Sequence, residues 1–273
     1  MRAQERARWA DAFTRPGQYV ALRAAGAPPL PAGASRKASL KASRLVSIAS
    51  TPYATHRDSA YLDAAIIEIL GDHTPDFALK DEGAGGAHLA DLAPGMQLQV
   101  SEPVGAGFAS LLAPGVSLST ALEEGRALLL LGCGAAGAAP LRCAVEWQPV
   151  LAAAGVSRVS LFLQLPRAAA APYVPDWDRW REAGVRVRAV FEEHDDDASA
   201  KAPAPALAVP VGSSPLEEAL LRGGRRMADV CGAPPEECCV LLAALPAEAR
   251  KRITHELLAA GFNTERILFA EPY

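Results

Sequence analysis

The alternation of apolar and polar positions changes about half-way along the chain. The first half holds short apolar or alternating runs bounded by proline and glycine, which is typical of strands in a small antiparallel barrel. These runs are Tyr19–Arg23, Arg44–Ser50, Phe77–Lys80 and Gln97–Ser101. Tyr61–Leu70 fits either a strand or a short helix. The first half is therefore predicted to be an antiparallel barrel, complete or incomplete.

The second half alternates continuous apolar runs with helical segments. Strands are predicted at Ala127–Leu131, Val159–Leu163, Val185–Val190, Cys239–Ala243 and Arg266–Phe269. Helices are predicted over Pro140–Ala153, Asp176–Ala183, Pro215–Ala228 and from Pro246 to a left-handed cap at Gly261. This alternation indicates a parallel sheet covered by helices on both faces. The predicted fold is a β-barrel over residues 1–120 followed by an α/β domain over residues 121–273.

Composition and charge narrow the class of protein. The chain has 273 residues, half of them apolar, and a formal net charge of −4. The slight negative charge argues against a nucleic-acid-binding protein. No apolar run approaches the ~20 residues that span a bilayer, and the first residues lack the apolar core of a secretory signal. Five cysteines, an odd number without zinc-site spacing, favour buried thiols in a reducing compartment inside the cell.

Two segments have the composition of linkers or surface insertions. Ala24–Ser43 is rich in alanine, proline, glycine and serine. Glu192–Ser214 starts with the acidic run Glu192–Asp197 and continues with alternating alanine and proline. Such segments bury little apolar surface. The acidic run is interpreted as a solvated loop rather than a cation site, and no metal site is predicted.

A series of motifs gives the chain a family resemblance. Arg15-Pro16-Gly17-Gln18-Tyr19-Val20 is followed by Arg44-Leu45-Val46-Ser47-Ile48-Ala49-Ser50, by Phe77–Lys80 with Gly83-Ala84-Gly85-Gly86, by Leu92–Gly95 and by Pro103-Val104-Gly105. In this order the chain resembles the ferredoxin–NADP reductase superfamily, and within it the plastid "fruit protein" oxidoreductases of plants. The resemblance implies a flavin-binding barrel, a nucleotide-binding domain and a chloroplast location.

The resemblance implies an FAD site between the two domains. Its residues would be Arg44, Val46, Ser47, Lys80 and the turn glycines Gly83, Gly85 and Gly86. A flavin diphosphate is an anion, so the Arg44 guanidinium, the Ser47 hydroxyl and the N–H groups of the turn would bind it. The alternative is that Arg44 is a surface charge and that the glycines form an ordinary turn. Tyr273, the last residue, would stack on the flavin.

The resemblance also implies an NAD(P)H site at the start of the second domain. The family has Gly-Thr-Gly-x-Ala/Ser-Pro there, and alignment on Pro140 places Gly137 in the motif and Ala135 at its first glycine. The Ala135 methyl is expected to crowd a tight turn and weaken NAD(P)H binding, with Gly132 and Gly134 compensating in part. Arg167 would contact a 2′-phosphate.

Departures from the family pattern leave two functions open. Val46 replaces a tyrosine, Gly85 replaces a serine or threonine, and alanines within Val240–Pro246 replace a Cys-Gly pair near the nicotinamide. The first function is an FAD-dependent NAD(P)H oxidoreductase in which the protein positions two cofactors and supplies no catalytic side chain. The alternative is a non-catalytic relative that serves as a subunit of a larger assembly. Flavin absorbance would separate the two.

The start of the chain predicts a protein partner. Relatives have two strands before Pro-Gly-Gln, whereas only about fifteen residues precede it here. Residues 1–14 are predicted to be helical, with Trp9 and Phe13 on one face. Since a helix does not replace the hydrogen bonds of two strands, a partner chain is expected to cover the barrel edge.

Overall fold

Two β-sheets organise the chain. The computed structural model describes residues 11–24, 44–52, 68–70, 92–156, 158–168, 171–191 and 230–270. Within them lie a three-stranded antiparallel sheet and a six-stranded, mostly parallel sheet with helices. The predicted fold class is therefore confirmed. Several predicted segments lie outside the described residues. They are Trp9, most of Tyr61–Leu70, Phe77–Lys80, Gly83–Gly86, the acidic run and the helix predicted over Pro215–Ala228.

The three-stranded sheet comes from the predicted barrel strands. It consists of β1 (Tyr19–Ala24), β2 (Arg44–Ser47) and β3 (Leu98–Val100) in the order β2-β1-β3. Val20 lies opposite Val46, and Leu22 lies opposite Arg44. Directly opposed residues point to the same face of a sheet. Val20, Leu22, Arg44 and Val46 therefore share one face.

Gln18 fixes the turn that leads into β1. Its Oε1 accepts hydrogen bonds from the backbone N–H groups of Thr14 and Arg15 at 2.9 and 3.0 Å. Its Nε2 donates to the Gly105 carbonyl oxygen at 3.3 Å. The neighbouring Gly17 has φ +86°, and a Cβ there would lie 2.9 Å from the backbone nitrogen of Phe108. The Phe108 N–H also donates to the Pro16 carbonyl oxygen at 3.1 Å, so the Pro-Gly-Gln motif contacts the first residue of the large sheet as well as leading into β1.

The six-stranded sheet forms the α/β part of the chain. Its strands are β4 (Phe108–Ser110), β5 (Ala127–Cys133), β6 (Val159–Leu165), β7 (Arg186–Phe191), β8 (Cys238–Ala243) and β9 (Ile267–Ala270). Their order is β4-β9-β8-β5-β6-β7. All pairs are parallel except β4 with β9, so the sheet is mixed rather than wholly parallel. The pattern analysis missed β4, because three residues carry too little periodicity.

Five helices are described. They are α1 (Leu118–Glu123), α2 (Gly134–Val145), α3 (Gln148–Ala154), α4 (Val174–Glu182) and α5 (Ala247–Ala259), with 3₁₀ turns at Pro235–Glu237 and Thr264–Arg266. The end of α5 is as predicted, since Gly261 has φ +97°. Pro246 stands one position earlier than expected, as the N-cap.

The single helix predicted over Pro140–Ala153 is wrong. The structure has two helices, of which α2 begins at Gly134 and contains Pro140 in its interior. The chain is extended at Trp147, with ψ 126°, and Pro149 opens α3 where a missing N–H costs no hydrogen bond. The prediction treated Pro140 as a first-turn proline and so placed the start of the helix six residues too late.

Apolar packing lies on both faces of the large sheet and between the two sheets. The apolar runs of β5, β6 and β8 are buried over almost their full length, as expected for strands covered on both sides. A third cluster joins Phe13, Val20, Leu22, Val46 and Ile48 to Cys143 of α2. The described helices include none with the length and apolarity needed to cross a membrane.

The cysteines are reduced, and four of the five are buried. Burial raises the pKa of the Cys143 and Cys239 thiols to about 12 each. A thiol with a raised folded-state pKa stabilises the fold below its unfolded pKa of about 8.5, and this stability is lost as pH rises towards the folded value.

We therefore expect the melting temperature to fall steadily between about pH 8.5 and pH 11. Cys143→Ala should flatten this decline, because the variant has one fewer thiol to ionise on unfolding. The measurement is thermal unfolding across the pH series. A decline of the same slope in the variant would contradict the assignment.

Candidate functional site

The carboxyl ends of three central strands meet at one edge of the large sheet. Cys133 at the end of β5 lies opposite Gln164 of β6, and Gly132 lies opposite Ala243 of β8. After β5 the chain runs to β6 and β7, then returns to β8 on the other side. This reversal is a topological switch point, the place where open α/β sheets bind ligands.

Three glycines shape the junction between β5 and α2. Gly134 follows the strand directly with φ +61°, and apart from its chain neighbours no atom of the described residues lies within 4 Å of the position that its Cβ would take. A Cβ on Gly137 would lie 2.8 Å from the Ala243 carbonyl oxygen. One on Gly132 would lie 2.6 Å from the Leu141 side chain. Gly134 thus makes the turn, and Gly132 and Gly137 let the helix pack closely on the strands.

The spacing Gly132-x-Gly134-x-x-Gly137 is the dinucleotide-binding pattern, in a strand–turn–helix setting. The sequence analysis missed it because it aligned the motif on Pro140. Ala135 is not in the turn, since it lies in α2 and packs against the cluster that contains Val46. The expected crowding by its methyl is therefore wrong. The signal was present in the sequence as three glycines directly after an apolar run.

Strand β2 presents its candidate flavin residues on two different faces. Arg44 and Val46 share the face that packs towards α2, whereas Ser47 lies on the opposite face because strand side chains alternate. Val46 is 2% exposed and Ser47 is 1% exposed. Both side chains are thus buried in the structure, and their contact with a flavin stays a prediction. Arg44 is half-buried, with its Nε atom inside the protein.

The remaining candidates are placed as follows. Arg167 is exposed, two residues beyond the end of β6. Pro140 is buried inside α2 rather than in a turn. Lys80, Gly83, Gly85, Gly86 and Tyr273 lie outside the described residues. Among the residues that the structure describes, no group of three or more histidine, cysteine, aspartate or glutamate side chains could hold a metal ion.

Comparison with solved structures identifies the fold. The chain aligns with a ferredoxin–NADP⁺ reductase from Neisseria gonorrhoeae crystallised with FAD and NADP, at 16% identity, 95% coverage of this chain and 87% of that one, with a TM-score of 0.54. The reductase from Plasmodium falciparum gives 8% identity, coverages of 96% and 85% and a TM-score of 0.55. The chain has the fold of the ferredoxin–NADP reductases.

Some of the matching proteins are longer than this chain. A cytochrome P450 reductase from Amycolatopsis aligns at 19% identity with a TM-score of 0.59, and the alignment covers 94% of this chain but 61% of the reductase. No protein-family model and no curated protein sequence matches the chain. At these identities the likeness establishes the reductase fold.

A strained residue follows β8 directly. Ala244 has φ +50°, in the left-handed region that favours glycine. Ala244 lies within Val240–Pro246, the segment in which alanines are expected to replace a Cys-Gly pair.

We expect Ala244→Gly to stabilise the protein by about 0.5–1 kcal/mol, since relief of the strain exceeds the entropy cost of glycine. The check is the denaturation midpoint, with Ala247→Gly at the start of α5 as the control that should destabilise. A lower midpoint for Ala244→Gly would contradict this account.

The described residues fit a dinucleotide better than they fit a flavin ring. The pyrophosphate of a dinucleotide needs a close backbone approach at a helix N-terminus, and Gly134 leaves room for it as far as the described residues extend. On the flavin side, Arg44 offers a cation for a diphosphate, but aliphatic Val46 takes the place of a stacking ring.

Proposed function

We propose that this protein is an FAD-dependent NAD(P)H oxidoreductase of the ferredoxin–NADP reductase type. One observation carries the proposal. Helix α2 begins at the glycine turn, and its residues Ala135 and Ala136 pack against the cluster that contains Val46 of β2. The candidate nucleotide half-site and the candidate flavin half-site therefore lie on directly packed elements. The proposed domains are residues 1–120 for the barrel and residues 121–273 for the α/β domain. Strand β4 belongs to the first range by sequence, but it pairs with β9 in the large sheet.

The proposed nucleotide site favours NADPH over NADH. NAD-specific sites use an acidic residue near the end of the second strand to bind the ribose 2′-hydroxyl. Here β6 ends in Gln164-Leu165 and continues with Pro166-Arg167, so the charged side chain at this position is cationic. An arginine there suits a 2′-phosphate.

Arg167→Ala should weaken NADPH binding about tenfold or more, the usual cost of losing a charge-assisted hydrogen bond. NADH binding should be unchanged, which serves as the internal control because NADH lacks the 2′-phosphate. The measurement is a fluorescence titration with both nucleotides. An equal loss for the two would place Arg167 outside the 2′-phosphate site.

The proposed flavin site uses Arg44 for the diphosphate, with Lys80, the Gly83–Gly86 turn and Tyr273 as further proposed contacts. When bound, the nicotinamide supplies a hydride and the flavin accepts it with its two electrons. The protein's own part is to hold the phosphates, to exclude water and to fix the distance between the two rings. No side chain needs to donate or accept a proton for the hydride step.

The test of the proposed function is cofactor content. The purified chain is incubated with excess FAD, desalted, and its absorbance near 450 nm, roughly where oxidised flavins absorb, is compared with protein concentration. We expect about one FAD per chain. Retention no better than that of an unrelated protein of similar size would overturn the proposal.

A plastid location and a partner at the barrel edge stay proposals. Of the predicted N-terminal helix, residues 11–14 are described, and the helix ends at Ala12. Phe13, which follows it, is buried in the cluster that contains Val20 and Leu22 of β1 and Val46 of β2, so the end of this segment covers part of that sheet. Sizing of the isolated chain is the test. A stable, soluble monomer with a closed six-stranded barrel would contradict the partner.

A further inference from the structure

Arg142 links the two halves of the molecule. It lies on α2, eight positions after Gly134, and its side chain is 12% exposed. It forms an ion pair with Glu68, which belongs to the barrel half of the chain. It also lies near two carboxylates of the α/β half, with Nε 3.6 Å from Glu146 Oε1 and 3.5 Å from Asp176 Oδ2.

Both partners in this ion pair are firmly anchored. The Glu68 backbone N–H donates to Ser50 Oγ at 3.1 Å, and its carbonyl oxygen accepts from the Ala49 N–H at 2.8 Å. Glu68 is thereby tied to the residues that directly follow β2. On the other side, the Arg142 guanidinium lies over the Tyr173 ring, 4.6 Å from its centroid. A half-buried guanidinium with so many partners has little freedom to move.

We propose that Arg142 is the positioning residue that sets the spacing between the two candidate cofactor half-sites. This role in the reaction rests on the proposed function. Glu68 is hydrogen-bonded to Ala49 and Ser50, just after the Arg44–Ser47 strand, and Arg142 lies on the helix that starts at the glycine turn. A shift of about 1 Å between reacting groups is enough to slow a transfer strongly. The Arg142–Glu68 ion pair also acts as a clamp between the two halves of the protein. This structural role does not depend on any cofactor.

The charged residues around Arg142 include a matched control, Arg179. Arg179 pairs with the same carboxylates, Glu146 and Asp176, but not with Glu68, and its side chain is 61% exposed. Arg179→Met therefore removes an arginine from the cluster without breaking the bridge. Glu68→Gln breaks the bridge from a side chain that is 54% exposed, so this variant is expected to fold.

The first experiment measures NADPH-dependent reduction of bound FAD in Glu68→Gln, Arg142→Met, the double variant and Arg179→Met. We expect the rate at saturating NADPH to fall about tenfold in each bridge variant and no further in the double variant. FAD content and the KM for NADPH should stay at wild-type values, and Arg179→Met should react like the wild type. Equal losses in Arg179→Met and Glu68→Gln, or a KM effect alone, would overturn the positioning role.

The second experiment is calorimetric unfolding of the same proteins without cofactor, which separates the clamp from the proposed function. The wild type and Arg179→Met should unfold at closely similar temperatures, whereas Glu68→Gln and Arg142→Met should unfold at a lower temperature, because a contact between the halves is lost. If wild-type protein binds no FAD but the bridge variants show this lower unfolding temperature, the proposed function fails and the clamp stands. If the bridge variants unfold as the wild type does, the clamp is overturned.

Discussion

Gly137→Ala is expected to destabilise the protein by about 1–3 kcal/mol and to abolish high-affinity NADPH binding. The added methyl would lie 2.8 Å from the Ala243 carbonyl oxygen and 3.1 Å from Gly132 Cα. Both contacts are with backbone, which has no rotamer to change, so α2 must move away from β5 and β8. That movement displaces Gly134, which forms the turn at the start of the same helix. Thermal unfolding and a nucleotide titration measure the two effects.

The matched control is Gly155→Ala at the C-cap of α3. The chemical change is the same, but Gly155 has φ −56°, and the nearest atom to its Cβ position is 3.5 Å away. This variant should be neutral or stabilised by up to about 1 kcal/mol, because alanine restricts the unfolded chain. If Gly137→Ala binds NADPH as tightly as Gly155→Ala does, the glycine turn is not the nucleotide site.

Arg44→Met is expected to weaken FAD binding about 10- to 100-fold, since a charge-assisted hydrogen bond to a phosphate contributes about 1.5–3 kcal/mol. Methionine keeps most of the apolar stem, so packing beside Leu22 is largely retained. The measurement is equilibrium dialysis of FAD against the apoprotein.

Arg23→Met is the control for this variant. Arg23 is half-buried on the adjacent strand β1, next in sequence to Leu22 and therefore on the opposite face of the sheet from Arg44. FAD affinity should be unchanged in this variant. A similar loss in both variants would show a general effect of removing an arginine from this sheet.

Much of the large sheet follows from sequence because β5, β6 and β8 are buried on both faces and so are continuously apolar. The start of the helix after β5 was predicted at Pro140 because proline is a strong local signal for a helix start. The tight β5–α2 junction overrides this signal, and the helix starts at Gly134. That junction depends on the close approach of Gly137 to Ala243, which is distant in sequence.

The candidate site was predictable only where a local pattern determines it. The motif Arg44-x-Val46-Ser47 could be located in sequence, but the face that each side chain takes depends on the register between β1 and β2. The Arg142 bridge could not be predicted, since Glu68 and Asp176 come from segments that only the folded chain brings together. The Gly132-x-Gly134-x-x-Gly137 pattern, in contrast, is visible in the sequence alone.

The most direct test of the account is anaerobic mixing of the FAD-reconstituted protein with NADPH while absorbance near 450 nm, roughly the oxidised-flavin band, is followed. We expect rapid bleaching by NADPH, slower bleaching by NADH at equal concentration, and loss of NADPH bleaching in Gly137→Ala. Bound FAD that stays oxidised under excess NADPH would contradict it, because the two half-sites would then not bring the nicotinamide and the flavin together.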